Sequence, residues 1–238
     1  LVKISSDYNA ILNKTARYVE DALSRETTGH DWQHIRRVWH NACVIAGNED
    51  VDSLRVELAA LLHDLDDWKL TGGQPGDWPQ RANAIMQALE IDSDLRNDVA
   101  TVIQSIDFKG TEAAQDTLSQ EAQVVHDADK LDAIGAVGIA RCFAFNGANG
   151  RPLFNPELFP ADALDEAAYT NLERERNTAI NHFFDKLLHL QQRMQTSTGR
   201  EMAENRHAFL VTYLREFFAE TGEEAWKDYL DSFVGTSV

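Results

Sequence analysis

The chain has 238 residues, 43% of them hydrophobic and 26% charged, an ordinary globular composition at a length that buries a core without staples. Its net charge of −17 excludes wrapping a nucleic-acid polymer, which needs a basic stripe. An anionic substrate would have to be met locally by a cation or by a few placed Lys and Arg side chains.

The opening residues, LVKISSDYNAILNK, form an amphipathic pattern rather than a secretory signal. Tyr8, Ile11, Leu12, Val19 and Leu23 mark a first helical stripe, which RETTGH breaks. Trp32, Ile35, Val38, Trp39, Ala42 and Ile45 mark a second, with Asp31 placed to cap it. Leu54, Leu58, Leu61, Leu62 and Leu65 mark a third, capped by Asp52 or Ser53. TGGQPGDWP is a loop dense in Gly and Pro. Ala82, Ile85, Met86 and Leu89 give a fourth stripe, and Leu95, Val99, Val102, Ile103 and Ile106 a fifth.

SQEAQVVHDADKLDAIGAVGIARCFAF then reads as one long or one broken helix, in which Gly135 and Gly138 permit close backbone approach. FNGANGRPLFNPELFPADA is irregular. Helical patterns return in NTAINHFFDKLLHLQQRM, REMAENRHAFLVTYLREFFAE and EEAWKDYLDSF. No alternating strand and no internal repeat is visible.

An all-α architecture is expected: a helical bundle over residues 1–145, and an irregular loop with a helical C-terminal extension over 146–238 packed on the same domain. The longest apolar stretch, AIGAVGIARCFAF, contains Arg141 and is too short to cross a bilayer, so no membrane is expected. Cys43 and Cys142 both lie in apolar helical patterns and form no CxxC pair. Two reduced core thiols and a cytoplasmic location are expected.

One feature needs a chemical partner. The apolar helix in ELAALLHDLDDWKL ends on His63 and Asp64, with Asp67 one turn further on the same face. Carboxylates at the end of an apolar helix call for a counter-charge, and a metal ion is the simplest one. His34 borders the apolar face of the second helix, with Arg37 one turn away. Asp129 lies in another helix, next to Lys130 and one turn from Asp132 and His126. Two imidazoles and two carboxylates would make an N/O site suited to Mn, Fe, Ni, Zn or Mg rather than to a thiolate metal.

The ordered series His, His-Asp, Asp resembles the HD superfamily of metal-dependent phosphohydrolases. The strings GHDWQHIRRV, LLHDLDDWK and DADKLDAIGAVGIAR resemble its bacterial YedJ/YpgQ-like branch, closely over residues 20–145 and more loosely beyond. The resemblance implies an HD-domain helical bundle with one divalent metal ion on His34, His63, Asp64 and Asp129. Asp129 is preferred to Asp127 because it precedes the basic Lys130. Binuclear members add two histidines between the HD pair and the last Asp, and only His126 falls there.

By the same resemblance Asp67 transfers a proton, and the substrate is a small nucleotide, a (deoxy)nucleoside triphosphate split to release pyrophosphate. A 5′-nucleotidase, a cyclic-nucleotide phosphodiesterase and a non-catalytic nucleotide sensor stay open as alternatives. Lys69 either steadies a phosphate or is solvated. Arg37 either faces the site or pairs with Asp67. His30 lines the pocket or helps the turn, and Lys130 meets phosphate or solvent. Asp132 supports the ligand shell, and His126 reads as an ordinary helix residue. Trp32, Trp39 and Trp68 read as core or pocket wall, His40, His182, His189 and His207 as structural, and the acidic run 162–175 as a solvated surface or cap. A homodimer is left open.

Overall fold

The computed structural model describes residues 2–24, 31–66, 72, 74, 76–107, 118–160 and 178–235. They divide into two compact units, Leu1–Asp132 with Met194–Gly199, and Ala133–Arg193 with Arg200–Val238. Every regular element among the described residues is helical, as the periodicity requires. None of these helices is long and apolar enough to cross a membrane.

In the first unit α1 (Val2–Ala22) buries Leu12, Ala16 and Val19 along one stripe. α2 (Trp32–Ala46) starts where Asp31 accepts the His34 backbone N–H at 2.8 Å. α3 (Ser53–Leu62) settles the choice of cap: the Asp52 carboxylate accepts from the backbone N–H groups of Leu54 and Arg55. Glu57 ties these helices together, accepting the Tyr8 hydroxyl at 2.6 Å and the Trp39 indole N–H at 2.8 Å.

α4 (Gln80–Ala88) and α5 (Ser93–Asp107) follow the Gly- and Pro-rich loop, and α6 (Gln120–Asp132) closes the bundle. α2 packs most extensively on α6 and α3. Val38, Ile45, Leu58, Leu61, Leu62, Val124, Val125, Ala128 and Leu131 are fully buried. The apolar stripes read from the sequence therefore meet in one core, which carries α2, α3 and α6 side by side.

The second unit opens with a break. The 119–145 pattern is interrupted at Ala133 and Ile134, and α7 (Gly135–Ala148) begins at a glycine with φ +72°. That backbone is left-handed, which glycine adopts without a Cβ penalty. Gly138 lies so close to the Ala133 carbonyl that a Cβ there would overlap it.

Expected as one helix, 177–194 is instead α8 (Ala179–Asp185) and two 3₁₀ turns, Leu187–His189 and Gln191–Arg193. The chain leaves helical geometry at Lys186, and the tighter turns bury Leu187, Leu188 and Leu190 together. Burial here overrides a good helical period.

α9 (Ser197–Thr221) and α10 (Glu224–Gly235) complete the chain. Trp226 is fully buried, stacks on Phe159 with centroids 4.4 Å apart, and donates its indole N–H to the Pro156 carbonyl at 3.0 Å. The loop 149–160, irregular as expected, is thus held by an aromatic cluster. Both cysteines are free. Cys142 is buried, but Cys43 is exposed, a correction to the expected core thiol. Its neighbours in the apolar stripe, Ala42 and Ile45, point inward, and a small thiol one position off that stripe does not follow them.

Candidate metal centre

α3 ends at Leu62, and His63 is its C-cap. The HD pair thus sits where the helix leaves partial negative charge on its last carbonyls, a position that favours a cation. His63 Nδ1 lies 2.9 Å from the carbonyl oxygen of Ala60 in that last turn. A carbonyl only accepts, so Nδ1 carries a proton and Nε2 is the ring atom turned to the cluster. That Nε2 is buried and has no hydrogen-bond partner.

His34 projects from α2 and is 2% exposed. Its Nδ1 lies 2.7 Å from Asp132 Oδ2, and its Nε2 lies 3.2 Å from Asp64 Oδ2 and 3.5 Å from Asp129 Oδ1. The other oxygen of Asp64 lies 3.3 Å from His63 Nε2, so Asp64 stands between the two imidazoles. His34, His63 and Asp129 each offer a ligand atom within 4.8 Å of the others. α2, the end of α3 and α6 therefore bring together the four residues singled out in the sequence.

These residues fit a divalent ion. The donors are two imidazole nitrogens and carboxylate oxygens, a hard-to-borderline set. Separations of 3.2–3.5 Å match neighbouring corners around an ion bound at about 2.0–2.2 Å. His63 Nε2 and Asp64 Oδ1 face each other at 3.3 Å with no hydrogen bond made by the buried nitrogen, an arrangement a cation between them would satisfy. Without a metal the cluster recruits a proton. Burial lowers the His34 pKa, but its hydrogen bonds to Asp132 and Asp64 and the charges of Asp64 and Asp129 outweigh that and push it up to about 9. Burial likewise raises the Asp129 carboxyl, and the charges of Lys130, His34 and His63 overcome it and hold the group well below the usual carboxylate range.

The surrounding residues have distinct places. Asp132, 2% exposed, holds His34 Nδ1 and also accepts from Arg37, at 2.6 Å from Nε to Oδ1 and 3.0 Å from Nη2 to Oδ2. Lys130 Nζ lies 2.9 Å from Asp129 Oδ2. Asp129 and Lys130 keep about a third of their side chains in solvent, 32% and 29%, and so mark an open side of the cluster. His126 pairs with its neighbour Asp127 at 3.0 Å. Asp67, Lys69, His30, Trp68 and the acidic run 162–175 lie outside the described residues.

Three residues outside the expected site hold the frame. Asn41 donates to the carbonyl of Ala128, the residue before Asp129, at 3.1 Å. It lies seven positions from His34, a polar break in an apolar stripe, and that was the available signal. Asp66 accepts from the backbone N–H groups of Arg81 and Ala82, both at 2.9 Å, capping α4 from across the loop. Asp127 is fully buried and turned away from the cluster, taking the backbone N–H groups of Gln195 and Thr196 and the Thr196 hydroxyl. Two acids two positions apart in α6 thus serve opposite sides, a spacing that places them on different faces.

Comparison with known proteins identifies the family. The HD domain profile matches residues 31–134. The uncharacterized protein YpgQ of Bacillus subtilis (strain 168) is 37% identical over 203 residues, 84% of this chain and 88% of that protein. Among solved structures, Bacillus subtilis YpgQ in complex with ADP is 36% identical with a TM-score of 0.67, covering 90% of this chain and 96% of the other. An HD-superfamily hydrolase from Bacillus thuringiensis is 30% identical with a TM-score of 0.70, covering 90% and 98%.

Proposed function

Since the chain belongs to the HD domain family and is a metal-dependent hydrolase, we propose that it hydrolyses a phosphoanhydride in a nucleotide, releasing pyrophosphate from a nucleoside triphosphate. The observation that carries this reading is the orphaned His63 Nε2, aimed at Asp64 and within ligand distance of His34 and Asp129. HD domains bind divalent metals, and His34, His63, Asp64 and Asp129 would hold the ion here. When bound, such an ion supplies a Lewis acid that lowers the pKa of a water and draws charge from a phosphoryl oxygen.

The protein's own residues do the rest. Lys130, partly exposed beside Asp129, offers a positive charge for a phosphate. Lys69 has the same role on sequence grounds, His30 lines the pocket, and Asp67 carries the proton between water and leaving group. A net charge of −17 makes these few cations the local answer to a polyanionic substrate. The nucleotide class is supported by the resemblance and by the ADP complex of YpgQ.

The test is metal analysis of chelator-free protein together with a nucleotide hydrolysis screen that identifies products. Pyrophosphate with a nucleoside monophosphate supports the proposal. Inorganic phosphate alone reassigns the chain as a nucleotidase, and opening of a cyclic nucleotide as a phosphodiesterase. Binding without turnover across nucleotides and metals makes it a sensor. His63→Ala should lose both the ion and the turnover.

A further inference from the structure

Arg37 is placed by its sequence position to reach either a phosphate or a neighbouring acid. In the structure its guanidinium grips Asp132 with two donors, Nε to Oδ1 at 2.6 Å and Nη2 to Oδ2 at 3.0 Å. The same Oδ2 lies 2.7 Å from His34 Nδ1. All three side chains meet at a buried carboxylate, and His34 Nε2 faces Asp64 and Asp129.

Resting on the metal reading above, we propose that Arg37 is an orientation lock for His34 rather than a phosphate contact. Its rigid fork makes position 132 demand a side chain with two acceptor atoms, so His34 Nδ1 always meets an acceptor. The Nδ1 proton is then fixed, and Nε2, which faces Asp64 and Asp129, is the atom that can give up its proton to a metal ion. Both Arg37 and Asp132 are positioning residues in this scheme, since neither faces the donor cluster itself.

The lock follows from donor and acceptor counts. A guanidinium only donates and a carboxylate only accepts, so Asp132 satisfies Arg37 and His34 together. An amide at 132 cannot. It has one oxygen, and whichever way it turns, its NH₂ meets a guanidinium N–H. The Nε contact is the shorter, 2.6 Å against 3.0 Å, so the oxygen is drawn there. The NH₂ then faces His34 Nδ1 and donates to it. The ring must respond by moving its proton to Nε2, where it blocks metal ligation. A partner that fixes a histidine tautomer acts in this way at many metal sites.

The experiment is Mn²⁺ titration by calorimetry on wild type, Asp132→Asn, Arg37→Ala and the double variant, with thermal unfolding of each metal-free chain. Asp132→Asn should weaken Mn²⁺ binding by at least ~10-fold, within the range for lost outer-shell partners. Arg37→Ala alone should weaken it less. In the double variant the amide is free to turn its oxygen to His34, so affinity should recover towards the Arg37→Ala level. A purely structural loss of packing would make the double variant worse, not better.

An additive or more severe double variant overturns the lock while leaving the metal reading intact. A wild type that binds no Mn²⁺ overturns both. Should Asp132→Asn not fold, Arg37→Ala decides: a raised nucleotide KM at saturating Mn²⁺, with Mn²⁺ affinity as in wild type, returns Arg37 to the substrate and overturns the lock. Weakened Mn²⁺ binding with KM as in wild type supports it.

Discussion

His34 and His63 meet edge to face, ring centroids 5.7 Å apart, and each is held through Nδ1, by a carboxylate in one case and a helix-end carbonyl in the other. Two imidazoles anchored from behind meet at Asp64, which faces the Nε2 of both with its two oxygens, and His34 Nε2 also faces Asp129. The arrangement spends no hydrogen bond on His63 Nε2. That cost is recovered when a cation binds.

Metal should therefore stabilise the fold. At 100 times its dissociation constant, Mn²⁺ should add about 2.7 kcal/mol to the unfolding free energy. In His63→Ala this increment should vanish, and the metal-free chain should also lose stability, because the buried ring, its Nδ1 bond to the Ala60 carbonyl and its contact with His34 go with it. Thermal unfolding with and without Mn²⁺ checks both halves.

Asp127 and Asp129 should separate cleanly. Asp127→Asn removes an acceptor for three buried donors on Gln195 and Thr196 and should cost about 2–4 kcal/mol, with Mn²⁺ binding retained. Asp129→Asn should do the opposite. Urea denaturation and calorimetric titration on the two variants provide the comparison. Equal loss of metal in both would contradict the division of labour in α6.

His182 gives a pH signature independent of the metal site. Burial, then the charges of Lys186 and Arg151, push its pKa down to about 4. The folded imidazole stays neutral while the unfolded one takes up a proton below about 6.5. Its contribution is thus fully present above pH 6.5 and is lost as pH falls towards 4. His182→Phe should flatten the difference between urea midpoints at acid and neutral pH. An unchanged slope would show that other groups set it.

Trp226→Ala should destabilise the second unit by about 3–5 kcal/mol, as for other large aromatic truncations in cores. The variant removes the stack on Phe159 and frees the Pro156 carbonyl. Intrinsic fluorescence and calorimetric scanning would follow it. Trp226→Phe should cost less, since most of the ring contacts survive.

Much of this was legible in the sequence. The stripes around Val38, Leu61 and Val125 announce helices and their buried faces, and Asp31 and Asp52 announce where two of them start. The HD pair at the end of an apolar run marks the site. The break at Ala133 was half visible, because Gly135 signals freedom and not direction. The 3₁₀ turns after Lys186 were invisible, because local period there favours a helix and burial decides against it.

The sequence by itself determined most of the helices, because periodicity is a local property, and its resemblance to the HD superfamily singled out His34, His63, Asp64 and Asp129 as candidates. Only the tertiary structure decided that Asp132 serves His34 and Arg37, which lie 98 and 95 positions away, and that Asp127 turns towards Thr196. Those pairings depend on how each helix is rotated against its neighbours, and packing of the buried faces sets that rotation.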